Sequence, residues 1–438
     1  MNQHGDRPDR PDVAIIGGGP GGATAAYYLA RQGLRVTIIE RERFPRYAVG
    51  ESLLPRNLEI FRDMGFEGVL EREGFMRKNG AVFTDSRSGD WARIDFSEGL
   101  TPEFEYAYQV PRDRFDLLLQ QHALDAGARL VQGTVRELTV ENERVVGVTV
   151  DNGESREVRA RFVIDASGRR AFIGSKLGMM QYDARLDTAS VFGLFDGVEM
   201  PEVAVPGDIA ILAYDAGWFW MIPFADGRVS LGTVVDRDVF DDLPDRAPEA
   251  LFAALVERAG GRVQKLMGGV ERIGDLHVLR RYNRRAARFC GPGWALVGDA
   301  AMFVDPVFSA GVLVATTEGK MVAEIVGPLL SDGRNVEPEH FDDYTNKVLA
   351  GYALIERYIY GWKDPVFRRF FLNPPARGRV RQAVIAILAG NLFDAELIGD
   401  ADASLFRWVN MYRRWLRLTT PCRRLFGRGR EASTSPQY

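Results

Sequence analysis

Cysteine and histidine are scarce in this 438-residue chain: there are two cysteines, Cys290 and Cys422, and four histidines, His4, His122, His277 and His340. The cysteines form no CxxC pair and the histidines are scattered, so the sequence offers neither a disulfide framework nor a metal-ligand spacing, and no metal is expected. Charge of one sign is lacking as well. The formal net charge of −4 is too weak a field, at this size, to mark the chain for nucleic acid. No apolar run reaches the roughly 18 to 20 residues that a membrane span requires, and the opening stretch MNQHGDRPDRP has no apolar centre of the kind a secretion signal carries. A cytoplasmic protein with no nucleic-acid or membrane partner is expected. Lysine is the last scarcity: of 56 basic residues only Lys78, Lys176, Lys265, Lys320, Lys347 and Lys363 are lysines, so a lysine at a special place stands out.

What is present is apolar patterning. A hydrophobic content of 46% is enough to bury a large core and to divide the chain into two or three domains. The stretch DVAIIGGGPGGATAAYYLARQGLRVTIIERE reads as strand, tight turn, helix and strand. Gly17, Gly19 and Gly22 form G-x-G-x-x-G, giving a tight turn, backbone close to a pyrophosphate and close helix–strand packing, with the phosphates at the helix N-terminus. Glu40 ends the second strand, where a carboxylate accepts hydrogen bonds from a ribose. A dinucleotide site follows.

Two later segments resemble the FAD-binding fold of the glutathione-reductase and hydroxybenzoate-hydroxylase type: FVIDASGRRAFIGSKLG, and the strand ending in Gly298-Asp299 before a helix that starts near Ser309. That resemblance implies FAD, with Asp299 at its ribityl chain, Arg112 approaching it, the backbone of Val135 at the adenine, and Ser52 and Val312 among the cofactor contacts. No second Rossmann unit for a nicotinamide is seen, so a separate NAD(P)H flavin reductase is expected to deliver reduced FAD. The expected fold is α/β: an FAD-binding Rossmann-like unit, an inserted antiparallel β-sheet substrate domain and a C-terminal helical region. Its FAD segments are 12–75, 109–175 and 281–330, its substrate sheet 76–108 and 176–280, and its helical region with a polar tail 331–438. Pro365, Pro374 and Pro375 break that helical region.

FPRYAVGESLLP, KNGAVF, GWFWMIP and GDAAMFVDPVFSAGV together resemble flavin-dependent halogenases, in particular the shorter ones acting on phenols, pyrroles or carrier-tethered aromatics. The likeness spans residues 12 to 325, with a looser echo in RQAVIAILAGNLFD at 381–394. It implies chlorination or bromination through a flavin C4a-hydroperoxide and hypohalous acid, with chloride or bromide as co-substrate and a small aromatic substrate, free or on a carrier protein. Trp218 and Trp220 lie two apart in a strand, so they share a face and form a wall between flavin and substrate; taken alone, such a pair is ordinary core. Ser309, Ala310 and Gly311 open a helix whose free N–H groups favour halide beside the flavin, or merely stabilise the flavin carbonyl. The family commonly has FSSG here, and Ala310 replaces the second serine.

Lys78 is the expected catalytic lysine, able to hydrogen-bond hypohalous acid or to form a haloamine, which arginine is too basic to do. The bland reading is a solvated charge at a strand edge. Phe308 stands where tryptophan-specific relatives carry a glutamate, which argues against free tryptophan as substrate. Asp215 and Asp226 are candidates to deprotonate a phenol. Arg413, Arg414, Arg417, Arg423 and Arg424 form either a dock for an acidic carrier or a solvated helix face. Rival readings are a flavin monooxygenase or dehydrogenase on the same scaffold, a prenyl-chain reductase, disfavoured by the bulky GWFWMIP face, and a catalytically silent FAD-binding scaffold.

Overall fold

The computed structural model of the chain describes residues 10–86, 88–101, 103–373 and 379–426. His4, Pro374, Pro375 and the polar tail from residue 427 lie outside the described residues, as do the side chains of Arg417, Cys422, Arg423 and Arg424. The apolar runs at the start of the chain become β1 (Val13–Ile16) and β2 (Val36–Glu40), joined by helix α1 (Pro20–Arg31). Strands buried on both faces pair in parallel, and β1 pairs so with β2 on one side and with Phe162–Asp165 on the other. The sheet runs Cys290–Gly291, Trp294–Leu296, Phe162–Asp165, β1, β2, Arg129–Gln132. Its carboxyl edge is where ligands bind in such folds.

Helix α2 (Gly311–Ser331) packs along α1. A Cβ at Gly319 would stand 2.5 Å from the Gly21 carbonyl oxygen, so the glycine is what lets the two helices approach. Three antiparallel strands spanning Thr134–Glu141, Arg144–Asp151 and Ser155–Arg159 form a separate small sheet that the periodicity did not distinguish.

The second large sheet has seven strands in the order Glu271–Arg280, Thr188–Asp196, β7 (Val229–Asp236), β6 (Gly217–Pro223), β5 (Ile209–Tyr214), β4 (Gly80–Asp85) and Trp91–Asp95. It is antiparallel except where β4 and β5 run parallel, Ala81 facing Ile209 and Phe83 facing Ile211. The chain between them passes through the first domain, and a connection of that length permits parallel pairing where a hairpin would not. β3 (Met76–Lys78) is outside this sheet and forms a two-stranded ribbon with Ala107–Gln109. Side-chain alternation in β6 sends Trp218, Trp220 and Ile222 into the main core and Phe219 and Met221 into a second core under helix Pro248–Ala259.

The C-terminal helices are α3 (Asp342–Lys363), α4 (Pro365–Leu372), α5 (Arg379–Ala389) and α6 (Ala395–Phe426). No helix among the described residues is long and apolar enough to cross a membrane.

Candidate active site

A cleft of about 380 Å³ opens at the carboxyl edge of the first sheet. Gly17, with φ +100, makes the turn after β1, and Gly19 caps α1. Gly22 lies behind the cleft: a Cβ there would stand 2.0 Å from the Gly17 carbonyl oxygen. Glu40 is held at the end of β2 by the N–H groups of Gly18 (2.7 Å) and Glu42 (2.8 Å), and it faces the cleft. Arg112 reaches the same space, clamped by both oxygens of Asp116 at 2.7 and 2.9 Å. Val135 lines the far end, its carbonyl accepting a hydrogen bond from Arg170 at 2.7 Å.

The Asp299 carboxyl also lines the cleft and is pushed up to about 6 by burial, against the pull of Arg169 and Arg112. Two observations show that these residues fit FAD. The Ser52 hydroxyl is buried beside the cleft without a hydrogen-bond partner, and a Cβ at Gly311 would meet nothing within 4 Å. The protein's own packing therefore does not keep residue 311 a glycine, and the space in front of it is free for a cofactor.

Helix α2 starts at Gly311, two residues later than the sequence suggested, because Ser309 takes a left-handed φ of 58 and Ala310 becomes the cap. The Ser309 N–H is spent on Pro306 O at 2.9 Å, and the first bond back to the cap is from Val314 to Ala310 O. The N–H groups between them belong to the unsatisfied first turn of a 21-residue helix, whose positive end faces the cleft with Val312 beside it.

Trp218 and Trp220 line the sheet side of this cleft, their ring centroids 5.8 Å apart. Register explains the room for them. Across the sheet, Phe83, Ile211, Trp220, Gly232 and Phe192 stand in one row. A Cβ at Gly232 would come within 2.4 Å of the Trp220 ring, so the indole lies over the glycine. Trp220 Nε1 donates to Ser230 Oγ (3.3 Å), which donates to Glu51 Oε1 (2.9 Å), while Gly50 N–H donates to Glu51 Oε2 (2.7 Å). Burial raises the Glu51 carboxyl above its ordinary range. Sequence reading passed over Glu51 and Ser230, although Glu51 sits inside the quoted FPRYAVGESLLP.

Lys78 is buried, with 1% exposure, in spite of standing at the end of a short strand. Its Nζ donates to Leu53 O at 2.8 Å, lies 5.4 Å from the centre of the Phe96 ring and has no ion-pair partner among the described residues. Burial lowers its pKa to about 7, opposed only by the charge of Asp208, itself engaged by Arg93 at 2.7 Å. Beside the ammonium is a second, apolar cavity of about 10 Å³. Ile209, Ile211 and Ser309 line both spaces. β5 and the turn before α2 thus stand between the two spaces, and the indoles line the cleft side. The signal for this division was the alternation Ile209, Ile211, Ala213, which reads as core until its neighbours are known.

Asp215 and Asp226 do not reach either space. Both occupy exposed turns, Asp226 paired with Arg228, and neither lines a space in which it could deprotonate a substrate.

A glycine turn, an acidic strand end and a helix N-terminus around one cleft define an FAD-dependent enzyme. The family model described as FAD binding domain matches residues 10–344. A 1H-pyrrole-2-carbonyl-[peptidyl-carrier protein] brominase of Pseudoalteromonas luteoviolacea is 30% identical over 88% of this chain and 93% of its own. A chlorinase of the same description from Pseudomonas fluorescens is 27% identical over 89% of this chain and 91% of its own. The solved flavin-dependent brominase Bmp2 superposes with a TM-score of 0.84 at 28% identity, covering 92% of this chain and 99% of that one. The chain belongs to the FAD binding domain family and, within it, to the flavin-dependent halogenases. It is an enzyme, its cofactor is FAD and its reaction is halogenation.

Proposed function

We propose that the chain halogenates an electron-rich aromatic ring, in the first place a pyrrole held as a thioester on a peptidyl carrier protein, with Lys78 passing the halogen to the ring. The observation that carries this reading is the placement of Lys78: a buried amine with one carbonyl partner, in an apolar cavity that shares Ile209, Ile211 and Ser309 with the cofactor cleft. When bound, and reduced by a separate NAD(P)H flavin reductase, FAD supplies with dioxygen the oxidising power that turns halide into hypohalous acid. Overall, reduced FAD, dioxygen, halide, a proton and an aromatic C–H give FAD, two waters and the aryl halide.

The chain does the rest. The cap and first turn of α2, from Ala310 through Gly311, hold the halide by their free backbone N–H groups, while Ser309, its own N–H bonded to Pro306 O, shapes the turn that presents them. The indoles of Trp218 and Trp220 keep the organic substrate off the cleft. As a neutral amine, Lys78 takes the halogen with release of water, and the ring then takes it as the amine recovers the ring proton. As an ammonium, it hydrogen-bonds the hypohalous oxygen as that oxygen leaves as water. A pKa near 7 makes both forms accessible at neutral pH.

The pyrrole preference is supported by the two relatives and by the cavity itself. Apart from Lys78 and Ser309 its lining is apolar, so a phenol finds no carboxylate or imidazole to take its proton, whereas a pyrrole needs none. At about 10 Å³ the cavity holds one water at most, so ring entry requires a lining group to move. Leu388 of α5 comes from outside both sheets. The division of the chain into FAD segments, substrate sheet and helical cover belongs to the same reading. So does a cytoplasmic setting, which suits the free thiol of Cys290.

The test is incubation with FAD, a flavin reductase, NADH and chloride or bromide over pyrrole-2-carbonyl carrier protein, its soluble thioester and a panel of phenols. Pyrrole products bearing the halogen isotope pattern are expected. Hydroxylated products formed without halide would overturn the reading in favour of a monooxygenase.

A further inference from the structure

Helix α6 carries Trp408, Met411 and Trp415, spaced i, i+3 and i+7 and therefore on one line of the helix. All three are about half exposed, at 48%, 53% and 49%. A neighbouring side of the helix is already used: Ile398, Leu405 and Val409 are buried against the other helices. Residues 405–426 contain six arginines and no acidic residue. Arg413 is engaged by Asp364, but Arg407 and Arg414 are exposed along the edge of the aromatic stripe. We propose that this outer face of α6 is the docking surface for an acidic carrier protein that presents the tethered substrate, an inference that rests on the carrier reading above and adds the place where the carrier sits.

Three observations favour that occupant. An arginine-edged stripe complements an acidic partner and repels a second copy of itself, since two-fold pairing would set arginine against arginine. A stripe three side chains long is narrow beside the broad apolar face with which a helix lies in a lipid interface. Position agrees as well. Phe371 of α4 packs on Phe83 and Phe308, which line the Lys78 cavity, and the stretch of α6 that carries the stripe packs on α4 through Phe406 on Phe367 and Tyr412 on Phe370. At helix spacings of roughly 8–10 Å, a carrier on α6 is two helix layers from the lysine, within reach of a flexible thioester arm.

The experiment is titration calorimetry of the full chain with an unloaded peptidyl carrier protein, alongside turnover of the pyrrole-2-carbonyl carrier and of the soluble thioester. Trp408→Ala with Met411→Ala, and separately Arg407→Glu with Arg414→Glu, are expected to weaken carrier binding about ten-fold or more. Both pairs should raise KM for the loaded carrier and leave kcat/KM for the soluble thioester unchanged, and higher salt should reproduce the charge-reversal effect. Carrier binding equal to wild type in both pairs overturns the docking surface. So does unchanged carrier binding accompanied by loss of binding to anionic phospholipid vesicles, or by conversion of a dimer to a monomer. Absence of halogenated product from carrier and thioester alike would instead count against the proposed function, while the calorimetry still reads the docking surface.

Discussion

Lys78 concentrates the account at the scale of one residue. Its pKa of about 7 in the folded chain lies below the 10.5 of a solvated lysine. Between those values the unfolded chain holds a proton that the folded chain has released, so this group makes stability rise with pH across that window. Lys78→Met removes the cost of burying the charge. It is expected to stabilise the protein by on the order of a few kcal/mol at pH 7 and by progressively less toward pH 10.5, read by urea unfolding at a series of pH values. A lysine that lay in solvent would show no such dependence. The chain from Trp220 through Ser230 to Glu51 gives a second residue-level expectation. Ser230→Ala strands a buried indole N–H and a buried carboxyl oxygen, which should cost about 1–3 kcal/mol and shift tryptophan emission, whereas Ser230→Thr, keeping the hydroxyl, should restore both.

Elements set these residues in place through contacts that no single motif displays. Trp220 lies flat because β7 offers Gly232 opposite it, so Gly232→Ala should cost about 1–3 kcal/mol by overpacking and push the indole into the cleft. Weaker FAD binding in a fluorescence titration is the expected result, and wild-type affinity would show that the ring has another place to go. Helix α2 is tied to the preceding turn by Glu318, whose Oε2 accepts from Gly298 N–H at 2.6 Å and whose carboxyl burial pushes up to about 8. From about pH 4.5 to 8 the folded chain keeps a proton there that the unfolded chain has lost, so this group makes stability fall as pH rises. Glu318→Gln keeps an acceptor for Gly298 and should therefore stabilise more at pH 8 than at pH 5 in thermal melts. The glycine turn and the start of α2 were legible because their chemistry is local: a left-handed turn, a free helix end. The wall of Ile209 and Ile211 was not, because its meaning depends on a parallel partner strand far away in sequence, and an alternating apolar strand looks the same whichever cavity it divides.

For the molecule as a whole, the same distinction between local and distant information decides what could be read in advance. Composition and the glycine motif sufficed for a dinucleotide-binding α/β protein, FAD came from the family resemblance of two later segments, and the two strands Val13–Ile16 and Val36–Glu40 stand where their apolar runs put them. The separate sheet over 134–159, the ribbon holding Lys78 and the burial of that lysine against Leu53 depend on tertiary pairing. A lone lysine beside an arginine reads as a surface charge until the fold closes over it. The helical cover was legible as helix, but its Leu388 in the cavity and its exposed tryptophans were not.

The central claim of the proposed function is separation: halide oxidised in one space and the ring halogenated in another, where Lys78 stands. The most direct measurement compares wild type with Lys78→Met in the presence of FAD, flavin reductase, NADH and bromide, with both the pyrrole-2-carbonyl carrier and a small freely diffusing hypobromite scavenger in solution. The expected result is brominated pyrrole from wild type, and from the variant FAD binding and bromination of the scavenger but none of the pyrrole. Pyrrole bromination by Lys78→Met at the wild-type rate would contradict it.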